Sequence, residues 1–150
     1  MPDIDDLQFV RTYDFRYIPR ELFEQTKEAD ADTIDRIYKF GDSIAASPLT
    51  LLYVMINKVN KIKGVLWATI DVVDAIIFIK ALSVDKEYQL SCGRTLEKVK
   101  EFMFGLNTGP ELKKEIHFLA TKPNAYEKTG AICSNRILME ITNVDTKTKV

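Results

Sequence analysis

The chain has 150 residues, 46% hydrophobic, 29% charged and 10% aromatic, with a formal net charge of −1. Those values describe one globular domain long enough to bury its own core, and they exclude a disordered, collagenous or membrane-spanning chain. A near-neutral total also excludes the broad basic field that drives sequence-independent nucleic-acid binding.

Leu7–Tyr13 alternates as a strand, with Leu7, Phe9 and Tyr13 able to share one face. Pro19 stands where a helix can start, and Arg20–Ala29 reads as that helix. Asp32 is the expected N-cap of a second helix, in which Ile34, Ile37, Tyr38, Ile44 and Ala45 recur at helical spacing. Gly41 is expected to interrupt it and Ser47-Pro48 to close it.

Thr50–Ile56, Gly64–Ile70 and Ala75–Val84 are rich in β-branched and aromatic residues and read as three consecutive strands. The basic segment Asn57–Lys63 joins the first two, and Asp71-Val72-Val73-Asp74 is short enough for a hairpin. Ala75–Val84 is the most apolar, which predicts a central strand covered on both faces. Lys80 inside it suits a bulge, a strand edge or a pocket-facing position. Asp85–Cys92 is polar and irregular. Leu96, Val99, Met103 and Leu106 then mark a helix, ended by Gly105 and Gly109-Pro110. Ile116–Ala120 is another strand, Lys122-Pro123-Asn124 a turn, Ala125–Thr129 one helical turn and Arg136–Thr142 a last strand.

Antiparallel strands followed by one crossover helix into a parallel neighbour predict an α/β (α+β) domain. Its sheet is mixed and mostly antiparallel, with helices on both faces. One domain spans residues 1–144, and the polar residues 145–150 form a frayed tail.

Two stretches carry a resemblance. Ala81-Leu82-Ser83-Val84-Asp85-Lys86-Glu87-Tyr88-Gln89-Leu90-Ser91-Cys92-Gly93-Arg94-Thr95-Leu96 resembles the central strand, phosphate loop and following helix of the GCN5-related N-acetyltransferases, the GNAT superfamily. Asn124-Ala125-Tyr126-Glu127-Lys128-Thr129-Gly130-Ala131 is similar to the Tyr-Glu-Lys-x-Gly-Phe segment ahead of their final strand. The loop pattern Arg/Gln-x-x-Gly-x-Gly/Ala is degenerate here. Tyr88 and Ser91 depart from it and Gly93 fits, while Ala131 replaces an aromatic residue.

The resemblance implies a GNAT-like fold and acyl transfer from acetyl-CoA to an amine acceptor on a small molecule or protein. Small residues let backbone N–H groups close on a pyrophosphate at a helix N-terminus, a role that falls on Ser91, Cys92, Gly93, Arg94 and Thr95. Backbone groups near Leu82 and Val84 would hold the pantetheine. Tyr126 would protonate the departing thiolate. Asp74 is the first candidate for the base that activates the amine, with Asp71 beside it and His117 as an alternative. The degenerate loop keeps a second reading open, a non-catalytic GNAT-fold structural or binding module similar to small bacteriophage-encoded, virion-associated proteins. No metal, nucleic acid or membrane is expected as a partner. A homo-oligomer or larger assembly is compatible with either reading.

Cys92 at a predicted helix start is a thiolate candidate, and a cysteine-based regulator is a third reading. With only Cys133 and His117 beside it, a zinc site is not built. The acidic start MPDIDDLQF has no signal-peptide pattern, so the expectation is a soluble cytoplasmic protein with reduced thiols, in the host cytoplasm or a virion if phage-encoded. Residues 1–35 hold ten acids against four bases, and the remainder reverses the sign. Two solvated faces account for that asymmetry, and Lys58, Lys61 and Lys63 for a basic turn.

Overall fold

The β-branched runs in the middle of the chain pair into a sheet in the computed structural model, which describes residues 3–26, 30–106, 115–119, 130–132, 134 and 138–143. Five strands are described: β1 (Gln8–Arg11), β2 (Thr50–Ile56), β3 (Ile62–Asp71), β4 (Ile76–Val84) and β5 (Glu115–His117). They lie side by side in sequence order. Every neighbouring pair is antiparallel except β4 with β5, which is parallel. The sheet is therefore mixed and mostly antiparallel, as the sequence predicts.

Helices cover both faces because the strand side chains alternate between them. On one face lie α1 (Arg20–Glu24) and α2 (Ala31–Ala46), where Leu22, Ile34, Ile37 and Ala45 pack with Leu52, Val54 and Val65. On the other lies α3 (Cys92–Gly105), whose Val99 and Met103 pack on Leu51, Leu66, Ala68, Ile77 and Ile79. A third cluster of Ile4, Leu7, Met55, Val84 and Tyr88 closes one end.

Four details correct the sequence reading. The N-cap of α2 is Asp30, not Asp32, because the Asp30 carboxylate accepts the Thr33 N–H at 2.8 Å. Gly41 does not interrupt α2. It is buried against Phe15, and a Cβ there would lie 2.9 Å from Phe15 Cδ2. β4 is an interior strand, antiparallel to β3 and parallel to β5 as expected, but it is not fully covered on both faces. The apolar content of β4 serves the α3 face through Ile77 and Ile79, while Ile76 and Phe78 on its other face are half-exposed. Residues 138–142, the described part of the expected last strand, form no strand, and Leu138, Met139 and Ile141 are exposed. Alternation marks a strand former, but a partner strand must supply the ladder.

The expected turn 122–124, the helical turn 125–129, Gly109-Pro110 and the tail 145–150 lie outside the described residues.

Candidate active site

A gap between β4 and β5 is the site's framework. Among the described residues the two strands pair only over Ile76–Phe78 with Glu115–His117. Beyond Phe78, β4 runs six residues further to Val84, and β5 does not follow it. Directly past the last paired residue comes a bulge. Ala68 pairs with Ile79 and Trp67 with Ala81, so Lys80 has no opposite number in β3. An extra residue of this kind leaves its backbone out of the ladder and bends the strand. The anomalous lysine of the sequence is thus a bulge residue, exposed, with its ammonium 5.8 Å from the Phe78 ring centroid.

Under the gap, on the α3 face, lies a cavity of about 160 Å³. Ile79 of β4, Ile116 and Phe118 at β5, and Leu96, Val99 and Phe104 of α3 make it mainly apolar. Gly130 and Ala131, the end of the Tyr-Glu-Lys-x-Gly segment, also line it. Its size suits the end of an extended arm rather than a whole drug-sized ligand.

The outer half of β4 offers backbone groups to the gap. Asp85 N–H donates to the Lys63 carbonyl at 2.7 Å, continuing the β3–β4 ladder. Hydrogen-bonded and non-bonded pairs alternate in an antiparallel ladder. Counting back from Asp85, Leu82 and Val84 fall in the non-bonded pairs with Leu66 and Gly64. Their N–H and C=O groups therefore point away from β3, into the gap. The Val84 carbonyl accepts the Gln89 side-chain amide at 3.1 Å.

From Val84 a 3-10 turn, Lys86–Ser91, leads directly into α3. Ser91 ends the turn and Cys92 and Gly93 begin the helix, so the orphan N–H groups of a 14-residue helix lie here. The side chains of residues 90–93 lie outside the description. Thr95 is buried within the first turns of α3.

Tyr88, at the first loop position, is a core residue at 7% exposure, packed with Ile4, Leu7, Met55 and Val84. Burial pushes its phenol up. Arg94 turns to the N-terminal segment. Its guanidinium contacts Asp5 at 2.8 Å, Glu97 at 3.1 Å and Glu101 at 3.8 Å. The Arg94 hydrogen bonds hold the Asp5 carboxyl below its ordinary range, and the Asp5 hydrogen bonds push Arg94 up.

Other sequence candidates are dispersed. Asp74 is exposed on the β3–β4 hairpin, its N–H bonded to the Asp71 carboxylate at 3.1 Å. Four strand residues from Ile76 to Lys80 already span about 13 Å, and Asp74 lies two residues beyond Ile76. The structure does not bring it to the bulge. Lys63 is tied to Glu87 at 2.9 Å and Asp85 at 3.4 Å, which removes one lysine from the basic turn. Tyr126 and Cys133 lie outside the described residues. Among the described residues no group of three or more His, Cys, Asp or Glu could hold a metal, and no helix is long and apolar enough to cross a membrane.

His117 ends the paired part of β5 opposite Phe78, with Nε2 2.6 Å from Glu115 Oε2. Glu115 was not foreseen, although its spacing of two from His117 puts both on one face of a strand. No local signal marks Asp5 as the partner of Arg94, 89 residues away.

No protein-family model matches the chain, and no curated protein matches it. Solved structures do. A GNAT family acetyltransferase from Staphylococcus aureus aligns with a TM-score of 0.63 at 16% identity, over 91% of this chain and 97% of that one. The fold is that of the GNAT acetyltransferases. An aminoglycoside N-acetyltransferase solved in complex with CoA aligns at TM-score 0.63 and 14% identity, over 93% and 95% of the two chains. A dodecameric spermidine N-acetyltransferase from Vibrio cholerae aligns at 0.65 and 13%, over 91% and 85%.

Proposed function

We propose that this chain is an acyl-CoA-dependent N-acyltransferase of the GNAT superfamily. The observation that carries the proposal is the gap beside a bulged strand. It joins an apolar slot, outward-facing backbone groups and a helix N-terminus along one line. A pyrophosphate fits at residues 91–95, with orphan N–H groups and the helix dipole favouring its charge. The pantetheine amides fit the backbone groups of Leu82 and Val84, with the Val84 carbonyl already shared by Gln89. The thioester then reaches the bulge at Lys80. CoA supplies the activated acyl group; the protein holds it in line and excludes water from the slot. The amine attacks the carbonyl carbon, the C–N bond forms and the C–S bond breaks. Tyr126 is assigned to protonate the leaving thiolate. The acceptor is an amine, a class represented among structural relatives by spermidine and aminoglycosides.

A second reading, the same fold without catalysis, is favoured by two observations. Tyr88 is a core residue rather than a loop ligand, and Arg94 is paired with carboxylates. No observation bears on a virion association.

Acetyl-CoA binding by calorimetry and thermal shift separates the two. Ligand at 100 times its dissociation constant stabilises by about 2.7 kcal/mol, roughly a 5–11 °C rise for a chain of this size. Tyr126→Phe should lower turnover far more than acetyl-CoA affinity. No shift and no heat would leave the non-catalytic module.

A further inference from the structure

The acyl group and the amine must meet at one carbon from different directions. On the acyltransferase reading the cavity on the α3 face, lined by Ile79, Ile116 and Phe118, would take the acyl-CoA arm. The opposite face of the same gap would then be the acceptor's approach. Phe78 and His117 pair across the last rung of β4 and β5. Since Ile77 and Ile116 pack toward α3, Phe78 and His117 project from the other face. The His117 side chain there is 33% exposed.

We propose that His117, oriented by Glu115, is the base that takes the proton from the attacking amine. The inference rests on the acyltransferase reading. Nε2 lies 2.6 Å from Glu115 Oε2, and a carboxylate there favours the tautomer that donates Nε2–H to it. In that tautomer Nδ1 is the free proton acceptor. This is the arrangement by which a carboxylate fixes the tautomer of a catalytic histidine. As the amine nitrogen bonds to the acyl carbon, its proton passes to Nδ1 and the C–S electron pair leaves with the thiolate. The thiolate takes a proton from Tyr126; His117 then releases its proton to solvent and the Tyr126 phenolate takes one back from solvent, which restores both side chains. The products are the N-acyl amine and free CoA thiol.

Distance favours His117 over Asp74. Two strand rises of about 3.3 Å and one strand spacing of about 4.8 Å put His117 roughly 8 Å from the bulged residue, Cα to Cα. A side chain and an amine nitrogen bridge that separation. Asp74 lies beyond the 13 Å that separates Ile76 from the bulge. Glu115 acts through His117 and is a positioning residue.

His117 is the single histidine of the chain, so its ring gives one imidazole Cε1–H resonance. The full chain is first titrated with acetyl-CoA by calorimetry, then assayed for thiol release with spermidine and an aminoglycoside as acceptors. Saturating acetyl-CoA should shift the His117 resonance. His117→Asn should lower kcat about 100-fold or more with an unchanged acetyl-CoA dissociation constant, and Glu115→Gln should lower kcat with an unchanged KM for the amine. His117→Gln repeats the test if the asparagine variant melts early. A wild type that fails to bind acetyl-CoA overturns the acyltransferase reading, and this assignment with it. A wild type that binds acetyl-CoA but leaves the His117 resonance unmoved, or a folded His117 variant with kcat within threefold of wild type, overturns the assignment of the base alone.

Discussion

Gly41→Ala sets helix propensity against packing, and the two can be weighed. In a helix interior alanine is favoured over glycine by about 0.8–1 kcal/mol. Were Gly41 an ordinary helical residue, the change would stabilise by that amount. In the fold the new Cβ would lie 2.9 Å from Phe15 Cδ2, 3.0 Å from Phe15 Cβ and 3.2 Å from Cγ. Carbon atoms prefer about 3.5–4.0 Å. Two of the three contacts are at the root of the phenylalanine, so rotating the ring does not relieve them. The ring itself is held, at 1% exposure, 5.4 Å from Trp67 and 6.2 Å from Phe23 between centroids. Overpacking of a tight core costs about 1–3 kcal/mol. The net expectation is a loss of roughly 1 kcal/mol, or about 2–4 °C in melting temperature. Urea denaturation with the m-value held constant measures it. In a Phe15→Ala background the same change should cost less, with a coupling of about 0.5–3 kcal/mol. A single Gly41→Ala variant more stable than wild type by about 1 kcal/mol would refute the contact.

Burial pushes the Tyr88 phenol above its ordinary pKa of about 10. A raised folded value stabilises below the unfolded pKa and is lost as pH rises through the folded one. Wild type should therefore lose stability above roughly pH 10 more steeply than Tyr88→Phe, and parallel alkaline melting curves would contradict this. Asp5→Asn should release Arg94 toward the start of α3 and tighten acetyl-CoA binding severalfold at low salt, with the gain shrinking as salt rises; calorimetry at two ionic strengths decides, and equal affinities would show that Arg94 does not reach the cofactor. Deleting Lys80 would place Ala81 directly after Ile79 opposite Trp67 and keep residues 81–84 on their present faces, so the urea midpoint should change little while the bend of β4 is lost and acetyl-CoA binding weakens; acetyl-CoA affinity equal to wild type in the folded deletion variant would mean that the bulge does not shape the site.

Strands β2, β3 and β4 were legible because they are long β-branched runs, and the parallel β4–β5 pair because one crossover helix fixes it. Helix α3 was legible in the spacing of Val99 and Met103, both fully buried. What was not legible depends on tertiary partners. Gly41 reads as a breaker until Phe15 is seen against it. Asp32 and Asp30 are equivalent caps until Thr33 N–H chooses one. Relative burial of β3 and β4 follows from strand order, which hydrophobicity does not encode. In the site, Lys80 announced itself as a charge inside an apolar run, and Gly93 as a permissive residue at a helix start. The pairing of Arg94 with Asp5 had no local signal.

The bulge links these pieces physically. Were Lys80 to take a place in the ladder, Ile77 and Ile79 on the α3 face would be followed by Ala81 on that same face. Because it bulges out instead, Ala81 lies on the α2 face and Leu82 and Val84 on the α3 side. The bulge thus keeps the outer half of β4 in phase with β3 while the inner half stays paired to β5. The strand bends at the position where its parallel partner ends, so the gap opens there and not elsewhere along the edge. The slot on one face and His117 on the other then address the same opening. A lysine suits this insertion because its charge stays in solvent while its stem lies along Phe78. A residue entering the ladder at this point would carry residues 81–84 to the opposite faces, and a charged side chain that must stay in solvent disfavours that slip.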